Sequence, residues 1–285
     1  MRKFDCFMGL LLASVILFSF PAMSGPLTVL APSKPWFEEA KDAAKSGKQR
    51  PVVPEADILA AFMEPFDMTP QDMEMPQFFS MLYYPPDFHG DSMQPELVNL
   101  LGDLEEIRYL DKKAWGLNET FGKPGLYQFI IEGKPWWDEN RNMYTHQQAK
   151  VALPVNGVEN GWNLPTGQSF EILPLTRPFG LTAPALFSGR LMLDGKPLEN
   201  VAVTTGLMNI NKINASTRWH KQIKTLTNSN GEFACVLNQP GWWYCEAAIS
   251  GSPLKGPDGC QRELERITIF WLFVDDGSGK AKNKN

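Results

Sequence analysis

The sequence predicts an all-β protein, built from two antiparallel β-sandwich domains of immunoglobulin-like size and one short N-terminal helix. Glycine and proline, at 23 residues each, are scattered along the chain without a period, which is typical of a protein with many loops. Short runs of β-branched and aromatic residues recur between these turn formers. Asp194-Gly195 lies between two such runs, and an Asp-Gly pair in that position indicates a two-residue hairpin turn.

The first residues have the layout of an export signal. Arg2 and Lys3 precede an apolar stretch from Phe7 to Phe20, and small residues lead to a cleavage point after Ser24. The apolar stretch is shorter than the roughly 20 residues that cross a bilayer as a helix. We therefore expect residues 1–24 to be removed and the remaining chain to be periplasmic and not membrane-spanning.

The first domain is expected over residues 25–155. A helix is predicted from Trp36 to Lys45, because Ser33-Lys34-Pro35 is a typical helix start and Gly47 a typical stop. Leu97–Leu110 fits a helix and a pair of strands about equally well. The other β-type runs of this domain are Leu27–Ala31, Val52–Phe62, Phe79–Tyr84, Leu126–Ile131 and Ala149–Leu153.

A stretch rich in glycine and asparagine, residues 156–167, is predicted to link this domain to a second one over residues 168–275. The β-type runs of the second domain are Phe170–Leu175, Phe187–Leu193, Val201–Thr205, Gly231–Leu237, Trp242–Ile249 and Ile267–Val274. The fourth and fifth runs are expected to pair as a hairpin turned by Asn238–Gly241. Residues 276–285 are polar and are predicted to form a disordered tail.

Charge and motif content exclude several classes of function. The formal net charge is −5, and removal of the predicted signal with Arg2, Lys3 and Asp5 makes it −6, which argues against a nucleic-acid partner. The chain has no nucleophile elbow, phosphate loop or zinc-protease helix. We therefore expect a protein that is not an enzyme.

Cleavage of the signal would discard Cys6 and leave Cys235, Cys245 and Cys260 in an oxidising compartment. One disulfide with one remaining thiol is expected. Cys235 and Cys245 flank the predicted hairpin turn, whereas a Cys245–Cys260 bridge would hold the loop between them against the sheet. We prefer the second pairing, because strands that pair directly need no further link.

A longer motif points to a known family. The run that starts at Gly161-Trp162 and continues through Glu171–Leu181 to Asp194-Gly195-Lys196-Pro197 resembles the family of periplasmic components of cobalt and nickel uptake transporters, widely labelled as a domain of unknown function. Asn230–Phe233 and Pro240–Trp243 extend the resemblance, which spans roughly residues 60–274. It implies two β-sandwich domains, handling of a transition-metal ion, and membrane subunits of a transporter as partners at the membrane surface.

The resemblance also implies candidate metal ligands. Members of this family typically offer histidines, a residue type that serves Ni²⁺ and Co²⁺ well. Gly25 occupies the expected mature end where the family has a histidine, and Glu64 stands before Pro65-Phe66 where the family has another. A third family histidine falls at His146 or one residue away at Gln147. Glu64 and His146 are therefore predicted ligands.

Two further groups are candidate metal sites. Asp87, His89 and Asp91 alternate, so an extended backbone would point all three side chains the same way, although a solvated loop is the alternative. His89 is accordingly the third predicted ligand. Half of the 12 methionines lie between Met63 and Met93. Their thioethers suit Cu(I), but methionine also serves as flexible core filling.

These observations give two hypotheses for function. The first is an exported accessory protein that handles or delivers nickel or cobalt to an uptake transporter. The alternative is a carbohydrate-binding or adhesion module, suggested by Trp136-Trp137 beside Asp138-Glu139 and by Trp242-Trp243, since exposed tryptophan faces bind sugars and paired carboxylates hydrolyse glycosides. Packing of these rings into a core is the structural alternative.

Overall fold

The computed structural model describes residues 25–38, 53–90 and 92–278, and within them the chain forms 21 β-strands. The predicted signal peptide and residues 279–285 of the predicted tail lie outside the described residues. The strands are β1 Leu27–Pro32, β2 Glu55–Glu64, β3 Thr69–Gln71, β4 Phe78–Tyr84, β5 Glu96–Asn99, β6 Glu105–Tyr109, β7 Lys112–Thr120, β8 Gly125–Glu132, β9 Trp136–Asp138, β10 Met143–Val155, β11 Phe170–Pro174, β12 Leu181–Thr182, β13 Ala185–Leu193, β14 Lys196–Pro197, β15 Ala202–Leu207, β16 Gln222–Leu226, β17 Glu232–Leu237, β18 Gly241–Ser250, β19 Leu254–Lys255, β20 Gln261–Arg262 and β21 Leu264–Asp275.

The strands form three sheets and a small hairpin. A ten-stranded central sheet has the order β16-β15-β18-β21-β10-β8-β4-β5, with β9 beside β10 and β12 beside β21. A five-stranded N-terminal sheet has the order β1-β2-β7-β6, with β3 beside β2. A four-stranded C-terminal sheet has the order β11-β13-β14, with β17 beside β13, and β19 pairs with β20. The predicted all-β class is confirmed.

The central sheet is covered on both faces where β21 crosses it. Ile269 and Trp271 enter the core shared with the N-terminal sheet, and the alternate residues Phe270 and Leu272 enter the core shared with the C-terminal sheet. Successive side chains of a strand point to opposite faces, so a strand buried on both sides must be apolar throughout. This explains the nearly continuous apolar run at Ile267–Val274.

The predicted division into two domains at residues 156–167 is not confirmed. β10 from the first half of the chain pairs in parallel with β21 from the second half, with Val151 opposite Trp271. The central sheet therefore takes strands from both sides of the predicted linker.

The predicted helix at Trp36–Lys45 is not seen where the structure describes it. Trp36–Glu38 is not helical, and Phe37 forms an isolated parallel bridge with Val155. The remainder of the predicted helix lies outside the described residues. Within the described ranges the helical segments are two 3₁₀ turns, Leu101–Asp103 and Arg218–His220, and no helix there is long and apolar enough to span a membrane.

The predicted hairpin between the Gly231 and Trp242 runs is wrong. β17 pairs with β13 in the C-terminal sheet, while β18 pairs with β15 and β21 in the central sheet. The turn therefore crosses from one sheet to the other, and Cys235 and Cys245 enter the same core from the two sheets. The cysteines of the described residues are all free, so the predicted disulfide is not confirmed.

Candidate functional site

A cavity of about 280 Å³ opens between the start of β1 and the central sheet. Its floor is made by one face of four neighbouring strands, β10, β21, β18 and β15. Trp136 of β9 and the segment Gly25–Leu27 form further parts of the wall. The polar side chains that line it are Arg141, Thr145, Gln147, Thr204, Ser250, Glu246, Glu263 and Glu265.

The roof of the cavity is fixed by buried hydrogen bonds between β1 and the floor. Gln147 accepts a bond from the Thr28 amide at 2.7 Å and donates one to the Pro26 carbonyl at 2.8 Å. Trp271 Nε1 donates to the Thr28 carbonyl at 3.0 Å. Because these partners are buried, losing them would leave unpaired polar groups, which holds β1 in place above the sheet.

The cavity is acidic. Three glutamates and one arginine line it, which gives a formal charge of −2. The arginine is already paired, since Arg141 Nη2 lies 2.7 Å from Glu265 Oε2. Glu246 and Glu263 therefore account for this formal excess of negative charge, which is reached only when Glu246 is ionised.

Glu246 is the carboxyl with the most perturbed environment in this cavity. Burial, followed by the nearby carboxylates of Glu265 and Glu64, raises its pKa to about 8. Lys224 and a hydrogen bond with Thr204 act in the opposite direction. The group thus holds a proton near neutral pH, and a cation placed beside it would favour the ionised form.

Thr145 lies next to Glu265 in the parallel register of β10 and β21. Its side chain is buried, and its Oγ1 has no hydrogen-bond partner among the described residues. A buried hydroxyl without a hydrogen-bond partner costs free energy. The Thr145 hydroxyl lines a cavity that can hold a ligand, which could supply the missing partner. The floor therefore combines the Glu246 carboxyl, whose charge is disfavoured by burial, with the Thr145 hydroxyl, which has no hydrogen-bond partner in the described part of the chain.

The three predicted metal ligands are not brought together. Glu64 ends β2 in the N-terminal sheet, His89 lies in the loop after β4, and His146 lies on β10 of the central sheet. No group of three or more histidine, cysteine, aspartate or glutamate side chains suited to a metal ion occurs within residues 25–38, 53–90 and 92–278. Burial, together with Asp67, raises the pKa of Glu64 to about 7, and Lys221 opposes that shift.

His146 has a carboxylate partner. Its Nε2 lies 3.0 Å from Glu132 Oε1 and 3.2 Å from Gln77 Nε2, and the two ring partners also contact each other at 2.6 Å. The hydrogen bond from His146 is the main reason why the pKa of Glu132 is lowered. This small polar cluster is partly exposed and lies outside the acidic cavity.

His89 shapes a turn. Its carbonyl accepts hydrogen bonds from the amides of Ser92 and Met93, at 3.1 and 3.0 Å. Asp91, the last residue of the predicted set Asp87, His89 and Asp91, lies outside the described residues.

The methionines between Met63 and Met93 pack with apolar side chains. Met63, Met73 and Met81 are buried in the core beside the N-terminal sheet, and Met93 packs against a different cluster on the opposite face of the central sheet. This distribution is that of core filling.

The tryptophan pairs have separate environments. Trp136 lines the cavity, whereas Trp137 packs edge-on against Tyr144 with ring centroids 5.1 Å apart. Trp242 packs against Phe273, and Trp243 is buried with its Nε1 bonded to the Gln239 carbonyl. Asp138, beside the first pair, accepts hydrogen bonds from the backbone amides of residues 140 and 141.

The cavity residues could not be predicted from the sequence, because they come from strands that are far apart in the chain. Thr145, Glu246 and Glu265 belong to β10, β18 and β21, and no short spacing connects them. One local signal was present: Glu246 interrupts the otherwise apolar run Trp242–Ile249. A single acidic residue inside a buried strand is unusual enough to indicate a special environment.

Together, the fold and the cavity define an all-β protein with an acidic cavity between two packed sheets. The chain belongs to the family described as domain of unknown function DUF4198, whose model matches residues 34–251. This confirms the part of the predicted resemblance that concerns the uncharacterised domain family. No curated protein matches the chain.

Some solved structures show distant likeness. The D0-D1 domain of intimin is 12% identical, with 88% of this chain and 100% of that chain covered and a TM-score of 0.21. The D00-D0 domain of intimin is 10% identical, covering 87% and 100%, also at 0.21. BcpA, the major pilin subunit of Bacillus cereus, is 10% identical, covering 88% and 71%, at 0.19. TM-scores of this size do not establish a shared fold.

Proposed function

We propose that this protein is an exported binding protein that holds a small organic cation in the acidic cavity. The observation that carries the proposal is that the buried Glu246 carboxyl and the unpartnered Thr145 hydroxyl face the same enclosed space. A ligand with a positively charged group that donates hydrogen bonds would compensate both.

The lining favours an organic cation over a bare metal ion. The volume of about 280 Å³ greatly exceeds that of one ion, and Leu264, Ile267 and Trp136 supply apolar wall. Small-molecule sites typically combine such apolar walls with a few polar groups that fix orientation. An aromatic wall also suits an ammonium group, which is attracted to the face of a tryptophan ring.

Calorimetric titration with ethanolamine and putrescine, two cations whose ammonium groups donate hydrogen bonds, tests the proposal, with sucrose as the uncharged probe. We expect at least one of the two cations to bind with a Kd near the micromolar range and sucrose not to bind. Glu246→Gln should abolish binding, while Glu105→Gln, a change of an exposed glutamate on β6, should leave it intact. Unchanged cation binding by Glu246→Gln would contradict the proposal. Tight binding of sucrose would contradict it and favour the carbohydrate alternative.

Binding should be coupled to proton release. Glu246 has a pKa of about 8 without ligand and must ionise to pair with a cation. As the pH falls below 8, the Kd should therefore rise by up to about tenfold for each pH unit, because each bound cation displaces one proton. Titrations in buffers of different ionisation enthalpy would report the released proton directly.

Delivery of nickel or cobalt to the membrane subunits of a transporter is a second proposal, favoured by one observation. His146 Nε2 and Glu132 Oε1 lie 3.0 Å apart on a partly exposed surface, so one imidazole and one carboxylate could enter the coordination of a metal ion. Titration with Ni²⁺ and Co²⁺ tests it, with His146→Ala expected to lose binding and His220→Ala, a change of an exposed histidine, expected to keep it. Absence of binding by the unmodified chain would exclude this role for the pair.

A further inference from the structure

The loop between β15 and β16 exposes large apolar side chains at its surface. Ile210 is 54% exposed, Ile213 is 38% exposed and Trp219 is 73% exposed. We propose that this loop, residues 209–221, docks the protein on an anionic lipid surface. The proposal is independent of the cavity and its ligand.

The exposure is built into the first turn of the loop. The buried Asn209 side chain accepts a hydrogen bond from the Ile213 amide at 2.7 Å and donates one to the Ile213 carbonyl at 2.9 Å. The Asn209 amide in turn donates to the Pro65 carbonyl at 3.0 Å. This clamp fixes the base of the turn on the N-terminal half of the chain, so that Ile210 and Ile213 are presented to solvent.

The far end of the loop is anchored as well. Lys221 Nζ lies 2.6 and 2.8 Å from the two carboxylate oxygens of Asp67, and it lies over the Phe66 ring at 5.5 Å. The side chains between the two anchors are therefore displayed by a folded loop. Their ordering cost on binding is low, because the backbone is already held.

The charge of the loop is opposite to that of the chain. Residues 200–231 contain no aspartate or glutamate, whereas the whole chain has a formal charge of −5. Lys212 and Arg218 are exposed on the loop, and the Arg218 guanidinium lies 5.0 Å from the centre of the Trp219 ring. A cation beside an exposed tryptophan combines attraction to lipid phosphates with the preference of an indole ring for the bilayer interface.

A lipid surface fits this pattern better than a protein groove. Exposed polar residues, among them Asn211, Asn214 and Ser216, lie between the three apolar residues along the loop, so the loop has no run of adjacent apolar residues. Stable protein interfaces bury an apolar core that is contiguous and closely packed. Isolated apolar side chains that are flanked by cations can each enter the headgroup region separately.

Vesicle co-sedimentation of the full chain tests the proposal, with equal parts phosphatidylglycerol and phosphatidylcholine compared with phosphatidylcholine alone. We expect binding to the anionic vesicles that is at least about tenfold stronger than to the neutral ones and that weakens in high salt. Trp219→Ala should weaken binding about tenfold or more, and Lys212→Glu with Arg218→Glu should remove the preference for the anionic lipid.

A matched control changes exposed apolar residues elsewhere. Leu186 and Val236 are neighbours on the outer face of the C-terminal sheet, 60% and 50% exposed. Leu186→Ser with Val236→Ser should bind vesicles like the unmodified chain. The proposal would be overturned if the unmodified chain did not bind the anionic vesicles, or if the Trp219→Ala and Lys212→Glu/Arg218→Glu variants bound them as strongly as the unmodified chain. Circular dichroism checks that each variant is folded.

Discussion

Lys150 Nζ lies 2.6 Å from Glu171 Oε2, and the two side chains are only 1% and 5% exposed. The pair joins β10 of the central sheet to β11 of the C-terminal sheet. Glu171 also accepts hydrogen bonds from the Thr166 amide at 3.1 Å and from the Thr166 hydroxyl at 2.9 Å. The carboxylate therefore ties the segment before β11 to the core between the two sheets.

Lys150→Met is expected to lower the free energy of unfolding by about 3–5 kcal/mol, because it leaves the Glu171 charge buried without its partner. Lys150→Met combined with Glu171→Gln should recover much of this loss, since no uncompensated charge remains. Urea denaturation of the three proteins measures both changes. As a control, Arg177→Met breaks an ion pair with Glu159 that is about half exposed and should cost no more than about 1 kcal/mol. Equal losses for the two single changes would contradict this account.

Glu246 should make the protein less stable as the pH rises. Its pKa is about 8 in the folded chain and near 4.5 in the unfolded chain, so between these values the folded state binds more protons. The contribution of Glu246 to the free energy of unfolding is therefore highest below about pH 4.5. It falls by up to about 1.4 kcal/mol per pH unit as the pH rises toward 8. Urea denaturation at several pH values measures the slope.

Glu246→Gln provides the comparison for that slope. The variant carries no charge to bury, so its stability should change less between pH 5 and pH 8, and it should exceed the unmodified chain in stability at pH 8. Glu105→Gln should leave the slope as it is. Parallel pH profiles for the unmodified chain and Glu246→Gln would show that Glu246 does not titrate as described.

Most strands could be predicted because each is a local run of residues with a local turn on either side, as at Phe79–Tyr84. Partner choice could not be predicted in the same way. The runs that form β17 and β18 are typical of a hairpin in the sequence. In the structure each strand joins a different sheet, and Phe233 and Trp243 enter the same core from opposite sides. The cavity likewise depends on the parallel pairing of β10 with β21, which joins residues more than 100 positions apart.

The cysteines should differ sharply in reactivity. Cys235 and Cys245 are 5% and 0% exposed, and burial raises the pKa of the Cys245 thiol, whereas Cys260 is exposed in the β19–β20 hairpin. Because burial keeps a thiol reagent away from Cys235 and Cys245, the reagent should label Cys260 quickly in the native protein and the other two only after denaturation. Mass spectrometry of the labelled protein counts the sites. Cys260→Ser should show no fast labelling, and rapid labelling of Cys245 would contradict the buried environment.

Gly161 is expected to be essential for stability, although it lies in a segment that reads as a flexible linker. Its φ is +96°, and a Cβ at this position would overlap the Tyr84 ring. Its carbonyl accepts a hydrogen bond from Gln128 Nε2 at 3.0 Å, so the backbone cannot move away from the ring without losing that bond. Gly161→Ala should therefore lower the free energy of unfolding by at least about 2 kcal/mol, because backbone strain adds to overpacking.

Gly122→Ala is the matched control for that change. A Cβ at Gly122 would meet nothing within 4 Å, so the free energy of unfolding should stay within about 0.5 kcal/mol of the unmodified value. Urea denaturation compares the two variants. A small effect of Gly161→Ala would mean that residues 156–167 shift freely over Tyr84, as a linker between separate domains would. A large effect would mean that this segment is packed as part of the central sheet's outer layer, consistent with the continuous sheet that β10 and β21 form.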